Sequence, residues 1–296
     1  MVGPIHGFGL RENPGLSELT AAVWSSRSSR IALVTLAVLL LCALLAPLIA
    51  PYNPIAQPDI VGLKNLAPSA AHPFGTDPYS RDVLSRVIYG ARLSLGIGFL
   101  ATIISATFGV AYGAAAGLAG GFIDAVMMRI LDAFMAIPRL LLLIAILAGW
   151  RSLPVTTLVL FLGLTGWFGL SRLVRGQVLA LKETEFVTAA RALGARKGRI
   201  IVTHLLPNLF SVIVVAATLG FAHVIVLEAG LSYLGIGVPQ PLASWGNIIQ
   251  DGAEDVAGLW WLSLFPGLAL LTAVIALNTI GERIRATLTP GSARAS

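Results

Sequence analysis

LKETEFVTAARALGARKGRIIVTHLLP, running from Leu181 to Pro207, is a polar, charge-dense island between long apolar runs. Phe186, Ala189, Ala190 and Leu193 fall at i, i+3, i+4 and i+7, so a helix through them has one apolar face, with Lys182, Glu183, Glu185 and Arg191 elsewhere around it. Gly194 ends that helix. Glycine takes the left-handed conformation past a helix C-terminus without steric penalty, and the cationic Arg196, Lys197 and Arg199 follow at once. A second short helix, Arg199 to Leu206, leads through Pro207 into the next apolar span. An island of this kind is the part of the chain best placed to meet another polypeptide.

Outward from the island, the composition is that of a chain built for lipid. Its 296 residues are 56% hydrophobic and 11% charged, with mean hydropathy +0.86, and its apolar runs are long enough to cross a bilayer. The expected fold is therefore an all-α integral membrane protein with six transmembrane helices. Residues 1–30 read as a cytoplasmic tail, 31–285 as the transmembrane domain and 286–296 as a second cytoplasmic tail. The first span, Ile31 to Ala50, is longer than the ~7–15 residues of a cleavable signal core and reads as an uncleaved helix.

An external segment, 51–92, follows, in which a turn at Asp77 to Asp82 feeds an amphipathic helix, Val83 to Ala91, lying on the membrane surface. That segment alternatively helps to form the mouth at which a loaded receptor docks. The second span, Leu93 to Leu118, carries Gly109, Gly113 and Gly117 at every fourth residue, the spacing of a tight helix-packing seam. The third, Ala133 to Trp150, contains Pro138 and Arg139, and Arg139 is expected to snorkel to the cytoplasmic surface. A turn from Arg151 to Pro154 leads to the fourth span, Val155 to Leu170, and to a cytoplasmic loop, 172–207.

The fifth span is Phe210 to Leu227, with His223 and Glu228 near its outer end, where solvated helix-end residues are the plain reading and functional groups the alternative. An outer loop, 228–258, is broken by Gly and Pro. Trp260 and Trp261 then open the sixth span, Leu259 to Ile280, as interface anchors. Arg11, Arg27, Arg30, Arg129, Arg139, Arg172, Arg175, Lys182, Arg191, Arg196, Lys197, Arg199, Arg283, Arg285 and Arg294 fall inside, fifteen of the 20 basic residues. The net charge of +6 thus reflects orientation in a bilayer rather than nucleic-acid binding.

No enzyme site is visible. A P-loop needs Gly-Lys-Ser/Thr, and none of Lys64, Lys182 and Lys197 has that setting, so this chain is expected to bind no cofactor and any ATP and Mg to sit on partner subunits. The four histidines show no metal-ligand spacing, and the lone Cys42 supplies neither a disulfide nor an intramembrane nucleophile. An ion-coupled secondary transporter would call for mid-span charges and an internal repeat of broken helices, neither of which is evident from sequence.

The island also resembles the cytoplasmic loop of ABC importer permeases, whose signature is E-A-A-x-x-x-G followed nine residues later by I-x-L-P. Ala189, Ala190, Gly194, Leu206 and Pro207 match it, while Thr188 stands in place of the Glu and His204 in place of the Ile. HPFGTD (His72 to Asp77), RDVLSRVIYGAR (Arg81 to Arg92), ARLSLGIG (Ala91 to Gly98), AARALGA (Ala189 to Ala195) and EAGLSYLGIGVPQP (Glu228 to Pro241) are similar to the peptide/nickel branch, in particular its C-type permease subunit. Ser80 stands where that branch has a second turn glycine.

The resemblance implies a type I importer permease fold in the cell (inner) membrane, with both termini cytoplasmic. It implies as partners a second homologous permease, with the pathway between the two, two ABC ATPase subunits or domains, and an extracellular or periplasmic binding protein. The cargo would be di- or oligopeptides, with nickel or glutathione as alternatives within the branch. ATPase coupling would fall on Glu185, Phe186, Thr188, Ala189, Ala190, Arg191, Leu193, Gly194, Arg196, His204, Leu206 and Pro207, with the helix laid into a groove of the ATPase. The external mouth would involve Gly75, Thr76, Asp77, Arg81, Asp82 and Glu228.

Overall fold

A computed structural model describes residues 24, 26–150 and 154–288. Most of the N-terminal tail, the turn at Arg151 and the end of the C-terminal tail with Arg294 lie outside the described residues. Helices are α1 (Arg27–Leu44), α2 (Ala46–Ile49), α3 (Val83–Ala119), α4 (Gly121–Met135), α5 (Arg139–Leu147), α6 (Val155–Leu164) and α7 (Phe168–Leu181). The chain continues through α8 (Glu185–Ala192), α9 (Lys197–Arg199), a π-helical turn (Ile200–Leu205), α10 (Leu206–Tyr233), α11 (Trp245–Asp251) and α12 (Trp260–Leu288). Five helical stretches are long and apolar enough to cross a membrane, and α4 with α5, bent by 74° at their junction, makes a sixth, in agreement with the expected count.

The bundle is organised on α3, which packs against α7, α6, α10 and α1, while α12 closes it against α10 and α1. This helix has 37 residues, about 55 Å at 1.5 Å per residue, well beyond the ~30 Å apolar layer. The separate surface helix expected at Val83 to Ala91 is instead its first turns: Asp82 caps it by accepting from the Ser85 N–H, and no breaker interrupts the chain before Gly120. Val83, Val87 and Ala91 are buried in the main core with Trp245 and Trp261. At its other half, Gly109, Gly113 and Gly117 face α7, and a Cβ at Gly113 would lie 2.4 Å from the Ser171 carbonyl oxygen, so the glycine stripe is the close-packed seam its spacing implies.

The third and fourth spans differ from their sequence boundaries because prolines and small residues break helices without ending spans. The third begins at Gly121 and kinks at Ala136 to Pro138, where proline withholds an N–H from the ladder. Its outset is polar because Asp124 pairs with Arg175 at 2.6 Å and Asp132 with Arg172, which ties α4 to α7. The fourth continues past a break at Thr165 to Trp167 as far as Leu181, so the loop expected from 172 starts as helix. In the outer loop, α11 is held by a reciprocal capping box between Ser244 and Asn247, and its fully buried Trp245 donates from Nε1 to the Val87 carbonyl. Trp261, expected at the interface, is only 4% exposed and donates from Nε1 to the Thr76 carbonyl, while Trp260 remains exposed.

Candidate functional site

At one end of the bundle, α8 lies across the ends of α3 and α7 and the start of α10. Val187 points inward, into a cluster with Ala114, Val174, Val178, Ile200, Leu205 and Leu209, and Ala190, one turn further on, is also buried. Phe186, Ala189 and Leu193 point away, Leu193 with 88% of its surface exposed. The apolar face expected at Phe186, Ala189, Ala190 and Leu193 is thus divided: Ala190 belongs to the seat, and Val187, which sequence reasoning passed over, is its anchor. Both faces of so short a helix are apolar, so periodicity alone could not say which is covered. The pair Val187 and Ala190, at i and i+3, is the signal that was available.

Gly194 ends α8 as expected, at φ +83°, with the Ala195 N–H bonded to the Ala190 carbonyl and the Gly194 N–H to that of Arg191. This is a Schellman closure, and it turns Arg196 outward into solvent. Thr188, where the signature has Glu, donates its hydroxyl to the Thr184 carbonyl one turn back, and Glu185 and Arg191 are exposed. The stretch expected as a helix from Arg199 is mostly the π turn. Pro207 cannot donate to the carbonyl four residues back, and the wider turn before it relieves the clash of its ring. His204 lies in that turn, half-buried, its ring 6.4 Å from that of Phe186, beside the half-buried Leu206.

At the opposite end of α3, the residues singled out as an external mouth form a buried lock. Asp77 accepts from Arg81 Nε at 2.6 Å, from Arg86 and from the Tyr79 and Arg81 N–H groups. Asp251 of α11 accepts from Arg81 Nη2 at 2.9 Å and from Arg86 Nη1 at 2.6 Å, and Gln240 accepts from Arg81 Nη1. Asp82 meets His72 Nδ1 at 2.9 Å, and Thr76 bonds both sides of Leu63 to Leu66. Thr76, Asp77, Arg81 and Asp82 are at most 3% exposed, so their side chains shape the segment from within rather than face a receptor.

Gly75, at φ +74°, lies so near the Leu66 carbonyl and Trp261 that no side chain fits. Ser80 adopts φ +62°, the left-handed conformation that explains why a glycine is usual there. Gln240 and Asp251, absent from the sequence reading, lie 159 and 170 residues along the chain from Arg81 and carried no local signal.

Glu228 is not a solvated helix end. It is wholly buried within α10, accepting from Ser94 of α3 at 2.9 Å and from Ser232 at 2.7 Å, while the same Ser94 receives the Trp245 N–H. Nor does Arg139 snorkel: it opens α5 beyond the kink and donates to the Leu162 carbonyl and Thr165 hydroxyl, deep between α3, α7 and α10. His223 is exposed on α10, ten residues before that helix ends at Tyr233.

Residues 107–294 match the family described as binding-protein-dependent transport system inner membrane component, and residues 24–68 match the N-terminal TM domain of oligopeptide transport permease C. The chain is 38% identical over 283 residues to the dipeptide transport system permease protein DppC of Bacillus subtilis (strain 168), covering 94% of this chain and 88% of that protein. It is 42% identical over 264 residues to a provisionally named peptide transport system permease protein of Brucella suis biovar 1, covering 89% and 88%. In structure it is similar to a chain of the inward-facing MetNI methionine ABC transporter, with TM-score 0.57 and 19% identity over 70% of this chain and 98% of that one.

Proposed function

The chain belongs to the binding-protein-dependent transport system inner membrane component family, as a peptide ABC transporter permease, and on that premise we propose that it forms half of an ATP-driven peptide import pathway. A second homologous permease supplies the other half, two ATPase subunits or domains dock on α8, and a binding protein delivers di- or oligopeptides to the opposite end of the bundle. The termini and the segment around α8 face the cytoplasm in this reading, and the lock around Asp77 faces outward. ATP and Mg are held by the ATPases.

The observation that supports the coupling role is the division of α8. Its inner face is seated on α3, α7 and α10, so motion of the helix is passed to the bundle, while Phe186, Ala189 and Leu193 leave an apolar stripe uncovered. Docking that stripe in a partner's groove buries two large side chains, each worth about 2 kcal/mol. The mid-span Arg139 and the kinked third span are features an ion-coupled carrier would also have. Membership of an ABC permease family weighs against that carrier.

Leu193→Glu with Phe186→Ala tests the proposal in cells carrying the whole transport system. The folded, membrane-inserted variant is expected to lose the co-purifying ATPase and peptide uptake together. Uptake that persists in this variant, or in a strain whose ATPase lacks its catalytic residues, refutes the coupling role.

A further inference from the structure

The cavity beside Arg139 is walled by Thr102 and Ser105 of α3, Gly166 at the break between α6 and α7, and Ala216 and Gly220 of α10, and holds about 150 Å³. Each of these residues lies near the middle of its span, since α3 runs from Val83 to Ala119, α10 from Leu206 to Tyr233 and the fourth span from Val155 to Leu181. The guanidinium therefore lies at the centre of the apolar layer. Two neutral acceptors orient it: the Leu162 carbonyl takes Nη2 at 2.6 Å and the Thr165 hydroxyl takes Nε at 3.3 Å. Among the described residues no carboxylate pairs with it, and Nη1 has no acceptor.

Gly166 keeps the group open to the cavity. A Cβ there would stand 2.9 Å from Arg139 Nη2 and 2.8 Å from Ser105 Oγ, between the two polar groups. Ser105 in turn has no protein hydrogen-bond partner among the described residues and lies on the cavity wall. A charge at this depth is expensive, and one without a counter-ion in its own chain points to a counter-ion that comes and goes. The guanidinium fork matches a carboxylate, and a neighbouring hydroxyl adds a third donor.

Resting on the peptide-permease reading, we infer that Arg139 and Ser105 form a mid-membrane site for the cargo's carboxylate, the C-terminal carboxylate of a short peptide. The glycine and alanine walls leave room for that group and a small adjoining side chain. The two neutral anchors hold the guanidinium in place when no cargo is present.

The test uses the purified complex of permeases and ATPases in nanodiscs, without binding protein, heated in millimolar Ala-Ala or in Ala-Ala amide, which lacks the carboxylate. Ala-Ala is expected to raise the unfolding temperature and the amide to leave it unchanged. Arg139→Gln is expected to abolish the rise and Arg139→Lys to restore part of it. In proteoliposomes with binding protein, half-saturation of Ala-Ala uptake is expected to rise about tenfold in Arg139→Gln.

An equal rise with the amide, a rise retained in Arg139→Gln, or no rise in the wild type overturns the inference, even where wild-type uptake of Ala-Ala leaves the peptide reading intact. Loss of the second permease from the Arg139→Gln complex would assign the counter-ion to that partner and overturn it too. Wild-type proteoliposomes that take up no Ala-Ala bring down the peptide reading and the inference with it.

Discussion

Gly113→Ala probes the packing on which the bundle is organised. The added Cβ would lie 2.4 Å from the Ser171 carbonyl oxygen, 2.9 Å from Val174 Cβ and 3.1 Å from the Arg175 backbone nitrogen. Carbon and oxygen ordinarily rest about 3.3 Å apart or more, so α3 and α7 must part by roughly 0.9 Å. No rotamer relieves the clash, because the groups it meets are backbone atoms and a β-carbon. Overpacking of this kind costs about 1–3 kcal/mol, and Gly113 belongs at the upper end.

Neighbouring glycines supply the scale. At Gly109 the new Cβ meets only the Leu170 side chain, its Cβ, Cγ and Cδ2 at 3.0 Å, with no backbone atom as near as the 2.4 Å contact at Gly113, so the same substitution is expected near the lower end, about 1 kcal/mol. At Gly176, on the exposed side of α7, it meets nothing within 4 Å and is expected to be neutral. Thermal unfolding of the purified chain in one detergent should rank stability as Gly176→Ala, then Gly109→Ala, then Gly113→Ala. A Gly113→Ala protein as stable as Gly176→Ala would refute the seam.

Ser80→Gly should stabilise the protein by about 1 kcal/mol in the same assay, because it removes the penalty of a left-handed serine. Gly75→Ala should do the reverse, since its Cβ would lie 2.5 Å from the Leu66 carbonyl at a positive φ; an unchanged midpoint would refute that account. Arg81→Met leaves Asp77 and Asp251 buried with Arg86 as their remaining cation, and is expected to cost about 3–5 kcal/mol, read as a fall in the urea midpoint. Ala190→Arg, aimed at the seat of α8, should lower stability and release the helix, readable as faster proteolysis between Leu181 and Pro207. Leu193→Glu, aimed at the open face, should leave the proteolysis rate unchanged.

Much of the architecture was legible in the chain. Apolar runs of bilayer length, the every-fourth-residue glycines of α3, the helix stop at Gly194 and the words around Ala189 to Pro207 are local properties. Each follows from hydropathy, steric freedom or spacing within a turn or two, so the helical membrane fold and the family came with the sequence. What it could not specify was which of several compatible faces meets which neighbour.

Val187 and Ala190 lie against the bundle, and Phe186 and Leu193 outside it, because α3, α7 and α10 converge there from far apart in the chain. The charges around Asp77 are a buried lock rather than an exposed mouth because α11, some 170 residues on, brings Asp251 to them. Arg139 lies within the bundle because Pro138 kinks its span and Gly166 leaves space beside it. Hydropathy and periodicity are sums over neighbours in sequence. Burial of a charge, or of one face of an apolar helix, depends on neighbours in space, and only the tertiary structure supplied those.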